Sequence, residues 1–99
     1  SALEPYGAGN ARPVFVTRSF RIAGEPRVMK NRHLKLFVSG AAGRTLETVW
    51  WGGVEELDGQ TLRAGDRIEM AYTVEQNTWR GETRLQLCVQ DLKAVISDE

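Results

Sequence analysis

The chain is poor in the residues that carry out chemistry. Its 99 residues include one cysteine, Cys88, and one histidine, His33. A lone cysteine excludes an internal disulfide, and one Cys with one His cannot build a Cys/His metal cage. The unpaired thiol fits a reducing setting, so a cytoplasmic location is expected. No apolar run approaches the roughly 20 residues of a membrane helix, no signal-peptide pattern opens the chain, and no membrane partner is expected. Neither a G-x-S-x-G elbow nor a phosphate-loop spacing occurs. Glu55, Glu56 and Asp58 form an acidic loop that reads as solvated, not as a cation site. The chain by itself is expected to be neither an enzyme nor a cofactor carrier.

Charge of one sign is lacking only in sum. Net charge is zero and apolar content is 41 %, ordinary for one globular domain. Residues 1–50, however, hold eight Lys/Arg against three Asp/Glu, and residues 51–99 hold five against ten. Arg12, Arg18, Arg21, Arg27, Lys30, Arg32 and Lys35 are opposed only by Glu25 over 12–35. Exposed charges act within about 8 Å at physiological salt, so such a stretch can hold phosphate despite overall neutrality.

Also missing is any amphipathic helix of full length. Five stretches alternate apolar and polar residues at the two-residue period of half-buried strands. They run over 19–28, with a bend at Gly24, then 33–39, 44–51, 67–75 and 83–92; Val14 to Thr17 reads as a short lead-in strand. The third has two registers, burying Leu46, Thr48 and Trp50 or Glu47, Val49 and Trp51, and a bulge would reconcile them. At most one helical turn is expected, around Val54 to Leu57. The fold class expected is all-β: a small five-stranded antiparallel OB-fold-like barrel with a shortened or missing helix between strands 3 and 4.

In that fold two rims and a strand face converge. Between strands four and five, Asn77 to Glu82 forms a hairpin whose tip carries Trp79 and Arg80, with Arg84 just beyond. An indole stacks on a base for about 1–3 kcal/mol, and a guanidinium holds phosphate or adds a cation–π contact. Trp79 equally suits a plug folded into the barrel end. The opposite rim brings Arg27, Lys30 and Arg32, and strand two continues outward with His33, Lys35 and Phe37. Rings for bases beside charges for phosphates make a single-strand platform. Of Trp50 and Trp51 one faces the core and the other the surface, which of them depending on the register of the third strand; Trp51 is carried among the candidate binding residues.

The opening Leu3-Glu4-Pro5-Tyr6-Gly7-Ala8-Gly9-Asn10 resembles the connector of the RecJ family of single-strand-specific exonucleases. The likeness continues through His33-Leu34-Lys35-Leu36, Gly43 to Glu47, Trp51-Gly52, Ala64 to Arg67, Trp79-Arg80-Gly81, Leu85-Gln86-Leu87 and Gln90-Asp91-Leu92. Departures are Tyr6 for Phe, Ala11 for a common Pro, Trp50 for a small residue and Cys88 for a frequent basic one. The resemblance implies a connector over 1–13 and an OB-like single-stranded DNA-binding domain over 14–99. The parent would be a 5′→3′ exonuclease of recombination and repair, its Mn or Mg bound in an upstream catalytic region. The implied partners are single-stranded DNA, those upstream domains and a single-strand-binding protein. Docking the acidic tail of that protein, or bracing the catalytic domains as a clamp, are the rival roles.

Overall fold

The computed structural model describes residues 12–95; the connector residues 3–10 lie outside them. The elements are β1 (Phe15–Ile22), β2 (Arg27–Met29), β3 (His33–Ser39), β4 (Thr45–Trp50), α1 (Gly53–Leu57), β5 (Arg67–Trp79) and β6 (Glu82–Ala94). They form one sheet in the order β1-β5-β6-β4-β3-β2. A short contact, Arg21↔Ser39 and Ile22↔Val38, brings β3 back to β1 and bends the sheet into a ring.

This corrects the expectation of a five-stranded antiparallel barrel. The described residues form six strands, because the chain breaks at Gly24 (φ 86) and Arg27–Met29 pairs separately with β3. The bend expected at Gly24 is present, but it ends the strand that alternation carries on to Val28. The pair β4–β6 is parallel, through Glu47↔Gln86, Thr48↔Leu87 and Val49↔Cys88. With β2 counted, the five-residue helix falls between the fourth and fifth strands, not the third and fourth. Irregularities do occur, but elsewhere: between Thr17 and Phe20 within the β1–β5 pairing, and between Ala71 and Tyr72 in the β5–β6 pairing.

Inside the ring the alternating residues meet: Phe20, Ile22, Leu34, Leu36, Val38, Trp50, Ile68, Met70, Leu87 and Val89, with Leu62 beneath. Each such large side chain contributes about 1.5–3 kcal/mol by leaving water. The third-strand ambiguity resolves without a bulge, since β3 and β4 pair continuously from Leu34↔Trp50 to Ser39↔Thr45. Thr48 therefore points inward and is fully buried, its hydroxyl donating to the Leu46 carbonyl at 3.3 Å. Trp50 is core, 4 % exposed, and closes the ring beside α1. Gly53 is required by that closure: a Cβ there would stand 2.8 Å from the Trp50 ring.

Candidate nucleic-acid interface

The candidate surface is the outer face of β3, β4, β6 and β5. Antiparallel and parallel register together set its rows: Lys35, Val49, Cys88 and Thr73 lie side by side, and Phe37, Glu47, Gln86 and Glu75 form the next. Further along the β5–β6 ribbon come Asn77 opposite Arg84, then Trp79 opposite Glu82. A period of two therefore places Trp79, Arg84, Phe37 and Lys35 on one face.

The middle of this face is closed. Val49, Cys88 and Thr73 point outward yet are buried. The Cys88 thiol is pushed up to about 11, first by burial and then by the neighbouring Glu75 carboxylate. Acidic groups hold two cations here: Lys35 Nζ lies 2.7 Å from Glu47, and Arg12 3.3 Å from Glu75. Accessible rings and charges are thus left at the two ends.

At one end, Lys30 and Arg32 stand exposed in the turn after β2, whose left-handed residues are Lys30 (φ 52) and Asn31 (φ 60). Arg27, on β2, pairs in register with Lys35. The Gly52 N–H donates to His33 Nδ1 at 2.9 Å, which puts the ring proton on Nε2. His33 meets Trp51 edge-on at 5.0 Å, and Trp51 is 59 % exposed. His33 and Arg32 share a shallow depression with Asn31, Gly52, Val54 and Glu55.

The other end is the ribbon tip. Trp79 is 69 % exposed, so it does not plug the ring. Arg80 (φ 52) and Gly81 (φ 79) make the two-residue turn, and the Arg80 guanidinium lies 4.5 Å over the indole. Arg84 is exposed, 3.8 Å from Glu82. Phe37, between the ends, is 40 % exposed. All ten expected residues are therefore placed: Arg27, Lys30, Arg32, His33 and Trp51 at one end, Trp79, Arg80 and Arg84 at the other, and Phe37 and Lys35 between them, the last occupied by an acid. Glu47 and Gln86 were missed as face residues; a settled register for β4 was the signal that would have found them.

No group of three or more His, Cys, Asp or Glu side chains among the described residues could hold a metal ion. The Mn or Mg implied by the family therefore has no fitting ligand set among them. No helix among them is long and apolar enough to cross a membrane.

A family model described as the RecJ OB domain matches residues 1–91. The chain belongs to the RecJ OB domain family. RecJ from Thermus thermophilus, solved with Mn²⁺, is 26 % identical with a TM-score of 0.61; the match covers 96 % of this chain and 13 % of that one. A mitochondrial single-stranded DNA-binding protein of S. cerevisiae, Rim1, shares the fold at a TM-score of 0.70 and 12 % identity, covering 90 % of this chain and 99 % of that one. The SSB domain of a Synechococcus protein does so at 0.64 and 17 %, covering 83 % and 94 %. None of the curated proteins matches. The Rim1 likeness corrects the cytoplasmic expectation. The fold is found in mitochondrial proteins, and a lone thiol does not separate reducing compartments.

Proposed function

We propose that this RecJ-type OB domain binds single-stranded DNA on the outer face of β3, β4, β6 and β5. Residues 14–99 would be the binding domain and 1–13 the connector to the upstream catalytic domains of a 5′→3′ single-strand exonuclease. In that parent, Mn or Mg and the hydrolysis belong upstream, and this domain's share is to hold the strand. The observation that carries the reading is Trp79: an indole left in solvent at a rigid ribbon tip, on the same face as Phe37 and Lys35 and next to Arg80 and Arg84. Such an exposed indole offers a flat surface on which a base can stack. The membership and the fold shared with single-strand-binding proteins support this reading.

A second reading is docking of an acidic tail such as that of a single-strand-binding protein, for which the exposed cations Arg27, Lys30 and Arg32 at one end of the face are suited. One experiment separates the two. Tryptophan fluorescence is titrated with oligothymidylate and with an acidic peptide at two salt concentrations. Quenching by the oligonucleotide that weakens steeply with salt supports DNA binding; quenching by the peptide alone transfers the face to protein docking.

A further inference from the structure

The ribbon tip and the strand face enclose a hollow of about 280 Å³ lined by Glu47, Asn77, Trp79, Glu82, Arg84 and Gln86. Its chemistry differs from that of a phosphate groove. One wall is an indole, two residues are amides, two are carboxylates, and Arg84 is the single cation. Arg80 lies over the Trp79 ring but does not line the hollow, and Trp79 remains largely exposed, with surface to offer a flat partner. Glu47 is the least exposed of the acids, with a side chain 21 % accessible; its Oε2 is held by Lys35, which leaves Oε1 with its own lone pairs.

We propose that this hollow is a nucleobase pocket with a preference for guanine. The inference rests on the single-strand reading above and deepens it. A carboxylate accepts but never donates, so it selects a base edge with adjacent donors. Guanine presents N1–H beside its N2 amino group, which a carboxylate accepts as a pair. Its O6 and N7 accept from an arginine, the commonest specific contact to that base. Thymine offers one N–H flanked by two carbonyl oxygens, which face the Glu47 and Glu82 carboxylates unfavourably. Asn77 and Gln86 each carry a donor and an acceptor and fit either base. Stacking on Trp79 is indifferent to base identity. Discrimination therefore falls to the carboxylates and Arg84.

The test compares an oligothymidylate of about twelve nucleotides, a length within the range of one OB fold, with the same strand carrying interspersed guanines. Anisotropy titrations of the full chain are paired with NMR titrations by deoxyguanosine and thymidine monophosphates. The Trp79 indole N–H is assigned by its loss in Trp79→Phe. The guanine-bearing strand is expected to bind about fivefold tighter or more. That ratio should fall toward one in Glu47→Gln, and separately in Glu82→Gln, whose exposed position makes a folding defect improbable. Equal affinity for both strands, with no shift specific to the guanine nucleotide, overturns the pocket and leaves the single-strand reading standing. A guanine-specific Trp79 shift without binding of either strand supports the pocket and removes the single-strand reading. Neither response removes both.

Discussion

Trp50 and Trp51 are neighbours in sequence with opposite surroundings, because successive residues of an extended chain point to opposite sides. Trp50 seals the core, whereas Trp51 and Trp79 are offered to solvent. Trp79→Ala is accordingly expected to change stability by no more than about 0.5 kcal/mol. It should nonetheless lower single-strand affinity by about 1–3 kcal/mol. Trp50→Ala should destabilise by about 3–5 kcal/mol. Thermal melting and oligonucleotide titration of both variants check the contrast, and a large melting loss in Trp79→Ala would remove it from the binding face. Cys88 gives a pH signature. Its folded thiol, raised from 9.0 to about 11, keeps its proton longer than the unfolded thiol does. The folded state is therefore unaffected below pH 9 and loses stability as pH rises from 9 to 11, by at most about 1.4 kcal/mol per unit. The difference between wild type and Cys88→Ala, followed by denaturant melts over that window, isolates the effect from other titrating groups. The hairpin tip carrying Trp79 and Arg80 was legible from sequence, but whether the indole stood in solvent or plugged the ring was not. Which tryptophan was buried required the β3–β4 register, which depends on partners far away in sequence.

At the scale of elements, the β5–β6 ribbon matters most. Alternation located its strands but stopped them at Glu75 and Thr83, short of Trp79 and Glu82. Beyond Val74 the ribbon leaves the core, so its residues are no longer apolar on one face, and Leu85 is exposed although it continues the inward row. Period-two patterning sees burial and not pairing. For the same reason β2 and the parallel β4–β6 pair went unseen: a three-residue strand has no period, and strand direction leaves no trace in alternation. What holds the ribbon is its turn, where both central residues have positive φ, the condition for a two-residue hairpin of matching twist. Gly81→Val forces a branched side chain into that left-handed position and should cost about 1–2 kcal/mol. If the reading of the face is right, DNA affinity falls with it as Trp79 loses its fixed place. Replacing Arg80-Gly81 by Asn-Gly should restore the turn and most of the stability, which denaturant melts would show.

Over the whole molecule, the basic first half of the sequence does not become one basic face. Folding sets part of it against acids of β4 and β5, so Lys35 meets Glu47 and Arg12 meets Glu75, while Arg84 of the second half lies near Glu82 on its own strand. Charge counting along the chain could not anticipate this, because the antiparallel β3–β4 pair sets Glu47 near Lys35 and the packing of the segment before β1 sets Arg12 beside Glu75 on β5. The consequence is measurable in the salt dependence of binding. From the row of Lys35 to the row of Trp79 the β6 register advances six residues, from Cys88 to Glu82. That distance is about 20 Å at strand rise. Sites so far apart act additively. Lys30 and Arg32 have no ion pair among the described residues, so each should contribute a full phosphate contact. Lys30→Ala and Arg32→Ala should each reduce the log–log salt slope by about 0.7, the single-strand value. Lys35→Ala should reduce it distinctly less, since its charge is already countered by Glu47 and phosphate has to displace a carboxylate to reach it. Titrations of the three single variants with oligothymidylate across a salt series decide the matter. A Lys35 slope change as large as those of Lys30 and Arg32 would show that the Glu47 contact opens freely when the strand arrives, and that the face behaves as one continuous cationic track.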